Sequence, residues 1–285
     1  MRLATIRTAS GSTAARRGET GWIPIAGFSD VGELLADPDW RARAAGATAE
    51  RGSEVPFDAA ELETVVPRPA KILCCGLNYA SHIREMGREL PSHPTLFAKF
   101  AQTLTGPFAD IEIPAEDSAI DWEAELAIVV GRAGRRIPLE EAGAYIAGYT
   151  IANDVSMRTW QFRTIEWLQG KIWDASTPLG PELVTADEMP ADARIQTLVD
   201  GEVMQDATLG DLVHGPEFLI SYISTITELL PGDVILTGTT GGVGRARDPE
   251  RYLRPGEVLE TRIEGIGALV NRVVGSEGSD RGRSS

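Results

Sequence analysis

The chain has 285 residues, 42% of them hydrophobic, which is enough for one substantial domain with a small appendage. It carries a net charge of −15 and a pI near 4.7, with no basic patch of the kind a nucleic-acid binder shows. No apolar run reaches membrane-spanning length, the opening MRLATIRTASG lacks the apolar core of a secretory signal, and the adjacent Cys74 and Cys75 read as small buried hydrophobes, so a reducing, cytoplasmic setting is expected.

In chain order, residues 1–66 alternate short strand-like pieces with polar and Gly-rich turns, forming a small N-terminal α/β domain. Within it Val31–Ala45 reads as a helix capped by Ser29 or Asp30. Pro67-Arg68-Pro69 marks a boundary. Residues 67–275 read as a catalytic domain with strands at Ile72–Gly76, Glu125–Val130, Ala147–Asn153, Arg194–Val199, Asp233–Thr237 and Val258–Ile263. Helices are expected after Asn78, at Leu139–Ala144 and at Gly215–Thr225. The polar tail, residues 276–285, is expected to be disordered. Frequent Gly and Pro turns favour an α+β, mostly β architecture over a doubly wound one.

The stretch DWEAELAIVV poses the chemical question. On one strand Asp121, Glu123 and Glu125 would share a face about 6–7 Å apart. At an effective dielectric near 20, each such pair repels by about 2–3 kcal/mol. Either the face is solvated, or a cation neutralises it. The strand runs on as LAIVV, which reads as buried, and the second choice then follows. In YTIANDVS the apolar run stops at Asn153-Asp154, so Asp154 stands at another strand end. With Glu123 and Glu125 it completes an oxygen donor set suited to Mg²⁺ or Mn²⁺, whereas no Cys/His spacing suits Zn²⁺. A bound cation would also gather an anionic substrate that the acidic protein otherwise repels.

Three further features stand out. His82 and Glu85 are three apart on the helix after Asn78; the pair is either a surface contact or a general base whose tautomer a carboxylate fixes. LTGTTGGVG follows a strand and is either a tight turn or a cradle of amides for an anionic oxygen; it is neither a P-loop nor GxGxxG. Of 27 basic residues only Lys71, Lys99 and Lys171 are lysines, which ranks them as positions needing a compact ammonium.

Taken in order, GLNYASHIREMG, PTLFAKF, DWEAELAIVVG, GYTIANDVSMRTWQ, QGKIWDASTPLGP, VDGEVMQDA and ILTGTTGGVG resemble the fumarylacetoacetate hydrolase family. The likeness is to its acylpyruvate hydrolase and 2-hydroxyhepta-2,4-diene-1,7-dioate isomerase-like branch, over residues 67–274. The resemblance implies a mixed β-roll catalytic domain, a homodimer, and Mg²⁺ or Mn²⁺ on Glu123, Glu125 and Asp154, with Asp121 outside the ligand set. It implies a His82–Glu85 dyad on a lid segment, a catalytic Lys171 and Gln161, and substrate contacts from Thr239, Arg158 and Lys171. The implied reaction is hydrolysis of a C–C bond in a 2,4-diketo acid, an acylpyruvate such as fumarylpyruvate, in aromatic-compound catabolism. Alternatives are oxaloacetate decarboxylation or enol–keto isomerisation of an unsaturated diacid at the same site, and, of another class, metal-dependent keto-acid binding without turnover. Two departures stand out: Thr159 after Arg158, where the family often has Asp, and Thr240 in place of a turn proline.

Overall fold

The run LAIVV is apolar throughout because both faces of its strand are covered. Leu126, Ile128 and Val130 belong to one buried cluster, while Ala127 and Val129 belong to a second on the opposite face. The computed structural model describes residues 1–9, 11–48, 54–57, 61–85, 87 and 89–276, and the side chains of His82 and Glu85 lie outside that description. So does residues 277–285, nearly all of the tail expected to be disordered.

Ala124–Val130 lies in a 12-stranded sheet of mixed direction. Its neighbours are Ile146–Asn153 and Val234–Thr239, both antiparallel to it, and Val234–Thr239 pairs in parallel with Ile72–Gly76. Thr95–Lys99 closes that edge. On the other side Ile146–Asn153 pairs with Thr177–Thr185, which in turn pairs with Arg2–Thr8 of the N-terminal segment. A five-stranded sheet, in the order Glu202–Thr208, Arg194–Val199, Val258–Ile263, Gly267–Gly275 and Ile111–Ile113, packs beside it. This is the mostly β, mixed-sheet fold that the sequence implies.

Three expectations on local structure change. The helix expected over Val31–Ala45 is two helices, Val31–Ala36 and Trp40–Gly46. Asp37, preceding Pro38, is extended (φ −75°, ψ 124°), because the proline ring disfavours a helical residue before it. Asp30, not Ser29, caps the first helix, its Oδ1 accepting from the Glu33 amide at 2.8 Å. Leu139–Tyr145 is a 3₁₀ segment. The single strand drawn through Asp121, Glu123 and Glu125 is also broken. Ile120–Asp121 pairs with Ser156–Met157 in a separate two-stranded sheet, and the large-sheet strand begins at Ala124. The three carboxylates therefore do not form one ladder.

Candidate active site

Sheet pairing assembles the acidic cluster. Ala124 faces Asn153 across the antiparallel pair, so the start of one strand meets the end of the other, and the Asp154 amide donates to the Glu123 carbonyl at 2.9 Å. The Glu123 amide donates to Asn153 Oδ1 at 3.0 Å, which fixes the short link between the two sheets. Glu123, Glu125 and Asp154 are all buried, and each offers a carboxylate oxygen within 4.8 Å of the others. Asp121 is not in this set.

Three cations brace the cluster. Lys171, which follows the 3₁₀ turn Trp167–Gly170, donates from Nζ to Glu123 Oε2 at 2.6 Å and to Asp154 Oδ2 at 2.8 Å. Lys99 ends the edge strand and donates to Asp154 Oδ1 at 2.6 Å and to the Lys171 carbonyl. Arg158 opens a one-turn helix, Arg158–Gln161, and its planar fork reaches two acids: Nη1 meets Glu123 Oε1 at 2.6 Å and Nε meets Asp121 Oδ2 at 2.8 Å. Asp121 also accepts from the amides of Trp122, Gly244 and Arg245, so its buried oxygens are satisfied by Arg158 and the backbone. Arg158 and Gln161 share a helix face, and Arg158 Nη1 donates to Gln161 Oε1 at 2.9 Å. The amide nitrogen of Gln161 is left without a protein acceptor among the described residues.

Glu125 is the exception, with no cation on it among the described residues. Its Oε2 accepts from the Gly238 amide at 2.7 Å. Burial, then the charges of Asp154 and Glu123, push its carboxyl well above the usual range. Asp154 feels the same burial, but Lys171 and Lys99 outweigh it and hold its pKa below the ordinary value. Burial opposes the charge of Lys171, and Asp154 and Glu123 reverse that, so the ammonium stays protonated. Counted formally, the described cluster holds four carboxylates (Asp121, Glu123, Glu125, Asp154) against three cations (Lys99, Arg158, Lys171), one positive charge short. The donors that remain are hard oxygens, and the residues present fit a divalent cation of the magnesium type.

The cluster floors a cavity of about 520 Å³ lined by Glu123, Glu125, Arg158, Gln161, Lys171 and Thr239, with Phe97, Phe162 and Trp167 as apolar walls. The backbone comes close at Gly238 (φ +96°): a Cβ there would lie 2.6 Å from the Cys75 carbonyl, so the Gly-rich turn is glycine for a steric reason. Thr239 lines the cavity, but its hydroxyl donates to the Ala124 carbonyl at 2.9 Å and accepts from Gln205 Nε2 at 2.8 Å. Thr240, at the departure from the family turn, likewise bonds Gln205. Cys75 also lines the cavity, its thiol pushed up to about 12, chiefly by burial.

The structure thus brings together Glu123, Glu125, Asp154, Lys171, Arg158, Gln161 and Thr239. The backbone of Ala80–Glu85 is helical, as expected after Asn78, whose side chain bonds the His214 and Thr237 carbonyls; the His82–Glu85 contact itself falls outside the described side chains. Sequence reasoning missed the parts played by Lys99 and Gln205. Lys99 carried a signal, as one of three lysines; Gln205 carried none beyond its place in VDGEVMQDA.

The family described as fumarylacetoacetate (FAA) hydrolase C-terminal matches residues 71–274. The mitochondrial oxaloacetate tautomerase of Rattus norvegicus is 40% identical over 250 residues, covering 87% of this chain and 78% of the relative. Among solved structures, the fumarylacetoacetate hydrolase of Exiguobacterium antarcticum is similar with a TM-score of 0.86 at 30% identity, covering 96% of this chain and 99% of that one. A 2-hydroxyhepta-2,4-diene-1,7-dioate isomerase from Mycobacterium marinum is similar with a TM-score of 0.79 at 32% identity, covering 97% and 99%.

Proposed function

The chain belongs to the fumarylacetoacetate hydrolase family, and from that premise we propose that it is a divalent-metal-dependent enzyme interconverting the enol and keto forms of oxaloacetate. This replaces acylpyruvate hydrolysis as the leading reaction, because relatives about 40% identical across most of the chain are named oxaloacetate tautomerases. One structural observation carries the reading: a buried cluster of four carboxylates and three cations, one positive charge short, whose Glu123 and Glu125 line a cavity that also presents Lys171 and Gln161.

Glu123, Glu125 and Asp154 would hold Mg²⁺ or Mn²⁺, which supplies Lewis-acid polarisation of the keto acid's adjacent oxygens. The chain's own groups do the rest. Tautomerisation moves a proton between carbon 3 and the oxygen on carbon 2, and negative charge gathers on that oxygen in between. Lys171, kept charged by Glu123 and Asp154, stabilises that charge, and the free amide nitrogen of Gln161 fixes the substrate's orientation. Phe97, Phe162 and Trp167 keep water from the reacting carbon. His82, oriented by Glu85, is the proposed proton carrier, and Thr239 and Arg158 the proposed supports of the substrate carboxylate. Exposed apolar side chains such as Phe108 and Ile165 suit the homodimer that forms part of this proposal. No helix among the described residues is long and apolar enough to cross a membrane. Two buried free thiols suit a reducing compartment, but the relatives' names place them in mitochondria, so a cytoplasmic location gains no support from them.

The test supplies oxaloacetate as its enol and follows loss of enol absorbance with protein plus Mg²⁺, with Mg²⁺ alone, and with Lys171→Met. The wild type is expected to accelerate the decay, and the variant to lose about 10²- to 10³-fold in kcat. Decay no faster than with the metal alone would overturn the reading. Likeness to a fumarylacetoacetate hydrolase keeps acylpyruvate cleavage as the second reading, and release of pyruvate plus a second acid would identify it.

A further inference from the structure

Arg245 lines the same cavity, and among the described residues its guanidinium has no carboxylate partner. It lies 3.9 Å from the ring centroid of Phe162, which follows Gln161 and also lines the cavity. Stacking on an aromatic face holds a guanidinium in place and leaves its edge free to donate. The backbone is held as well, since the Gly244 and Arg245 amides donate to Asp121 at 2.6 and 3.0 Å. An unpaired, preorganised arginine at a substrate cavity, in a chain of net charge −15, calls for an anion.

We propose that Arg245 is a specificity-determining residue that grips a second, distal carboxylate, so that the site selects keto diacids over keto monoacids. This rests on the reading of the cavity as a keto-acid site and adds the class of substrate. The charges agree. Four carboxylates, three cations and a divalent ion sum to +1, and Arg245 raises this to +2, the counterpart of a diacid dianion. A monoacid leaves one positive charge unmatched.

Arg245→Ala keeps the amide that bonds Asp121, so the cavity wall survives the change. Two readouts decide the matter. In turnover, the KM for oxaloacetate should rise about tenfold to a hundredfold, the value of one charge-assisted contact, while kcat changes little and competitive inhibition by pyruvate stays as in the wild type. Arg245→Lys should recover part of the loss, and Phe162→Ala should reproduce part of it. In binding, calorimetry with Mg²⁺ present compares malate with lactate, which differ by the distal carboxylate. The wild type should favour malate, and Arg245→Ala should erase that preference. Equal effects of the variant on both members of each pair, or none on either, would overturn the assignment. Should oxaloacetate not be turned over at all, the proposed reaction fails, and the malate–lactate comparison still tests Arg245.

Discussion

Arg158 shows how much a single side chain decides here. Its guanidinium spans Asp121 and Glu123, and no shorter or non-planar cation could bond both. Breaking a buried ion pair from one side leaves uncompensated charge, so Arg158→Met should lower stability by about 3–5 kcal/mol. Urea unfolding of metal-free protein measures this, and a loss under 1 kcal/mol would mean that Asp121 is held by its backbone donors alone. Residue identities made the triad legible before the fold was known, because acidic residues at the rim of a buried strand need a counter-charge. They did not reveal which cation answers which acid. Lys99 lies 55 residues from Asp154 and Lys171 lies 48 from Glu123, and only the folded chain brings those pairs together.

Among the elements, strands with apolar or mixed apolar–polar patterns were legible: Ile72–Gly76, Arg194–Val199 and Val258–Ile263 stand where their patterns put them. Thr177–Thr185 escaped, because Pro178, Gly180 and Pro181 carry turn chemistry although the strand is buried throughout. The helix Pro216–Ile226 follows its apolar period, with Leu219, Ile220 and Ile223 in the core. Its partly buried face carries a stack in which His214 lies on Phe218, Phe218 on Tyr222, and Tyr222 against His93, the histidine at the end of the segment after the His82 helix. Burial, then the charge of His93, depresses the His214 pKa, and its Nε2 has no partner among the described residues. With the folded value below the unfolded one of about 6.5, both states are neutral above that pH and His214 costs nothing. As pH falls through it, the unfolded chain takes up the proton first and stability drops until the folded pKa is reached. His214→Gln should therefore lose less stability between pH 7 and pH 5 than the wild type, by chemical denaturation at each pH. Parallel slopes would show that His214 does not contribute.

At the scale of the molecule, the proline-marked boundary near residue 67 and the sheet make different suggestions. Leu3, Ile25, Leu34 and Trp40 share one buried cluster with Ile72, Leu179, Leu183 and Leu236, and Arg2–Thr8 pairs with Thr177–Thr185. Removal of residues 1–66 would strip that cluster and open a strand edge, so the full chain should unfold in a single transition and the shortened one should not stay soluble. Two separate calorimetric transitions would show independent domains instead. The molecule's strong negative charge sets its remaining requirement, a cation at the cavity floor to receive an acid. Titration of Mn²⁺ into metal-free protein by calorimetry, for the wild type and Glu125→Gln, measures that requirement. One Mn²⁺ per chain is expected in the wild type, with binding weakened at least a hundredfold in the folded variant. No binding to the wild type, or equal binding to both, would contradict a metal held by Glu123, Glu125 and Asp154.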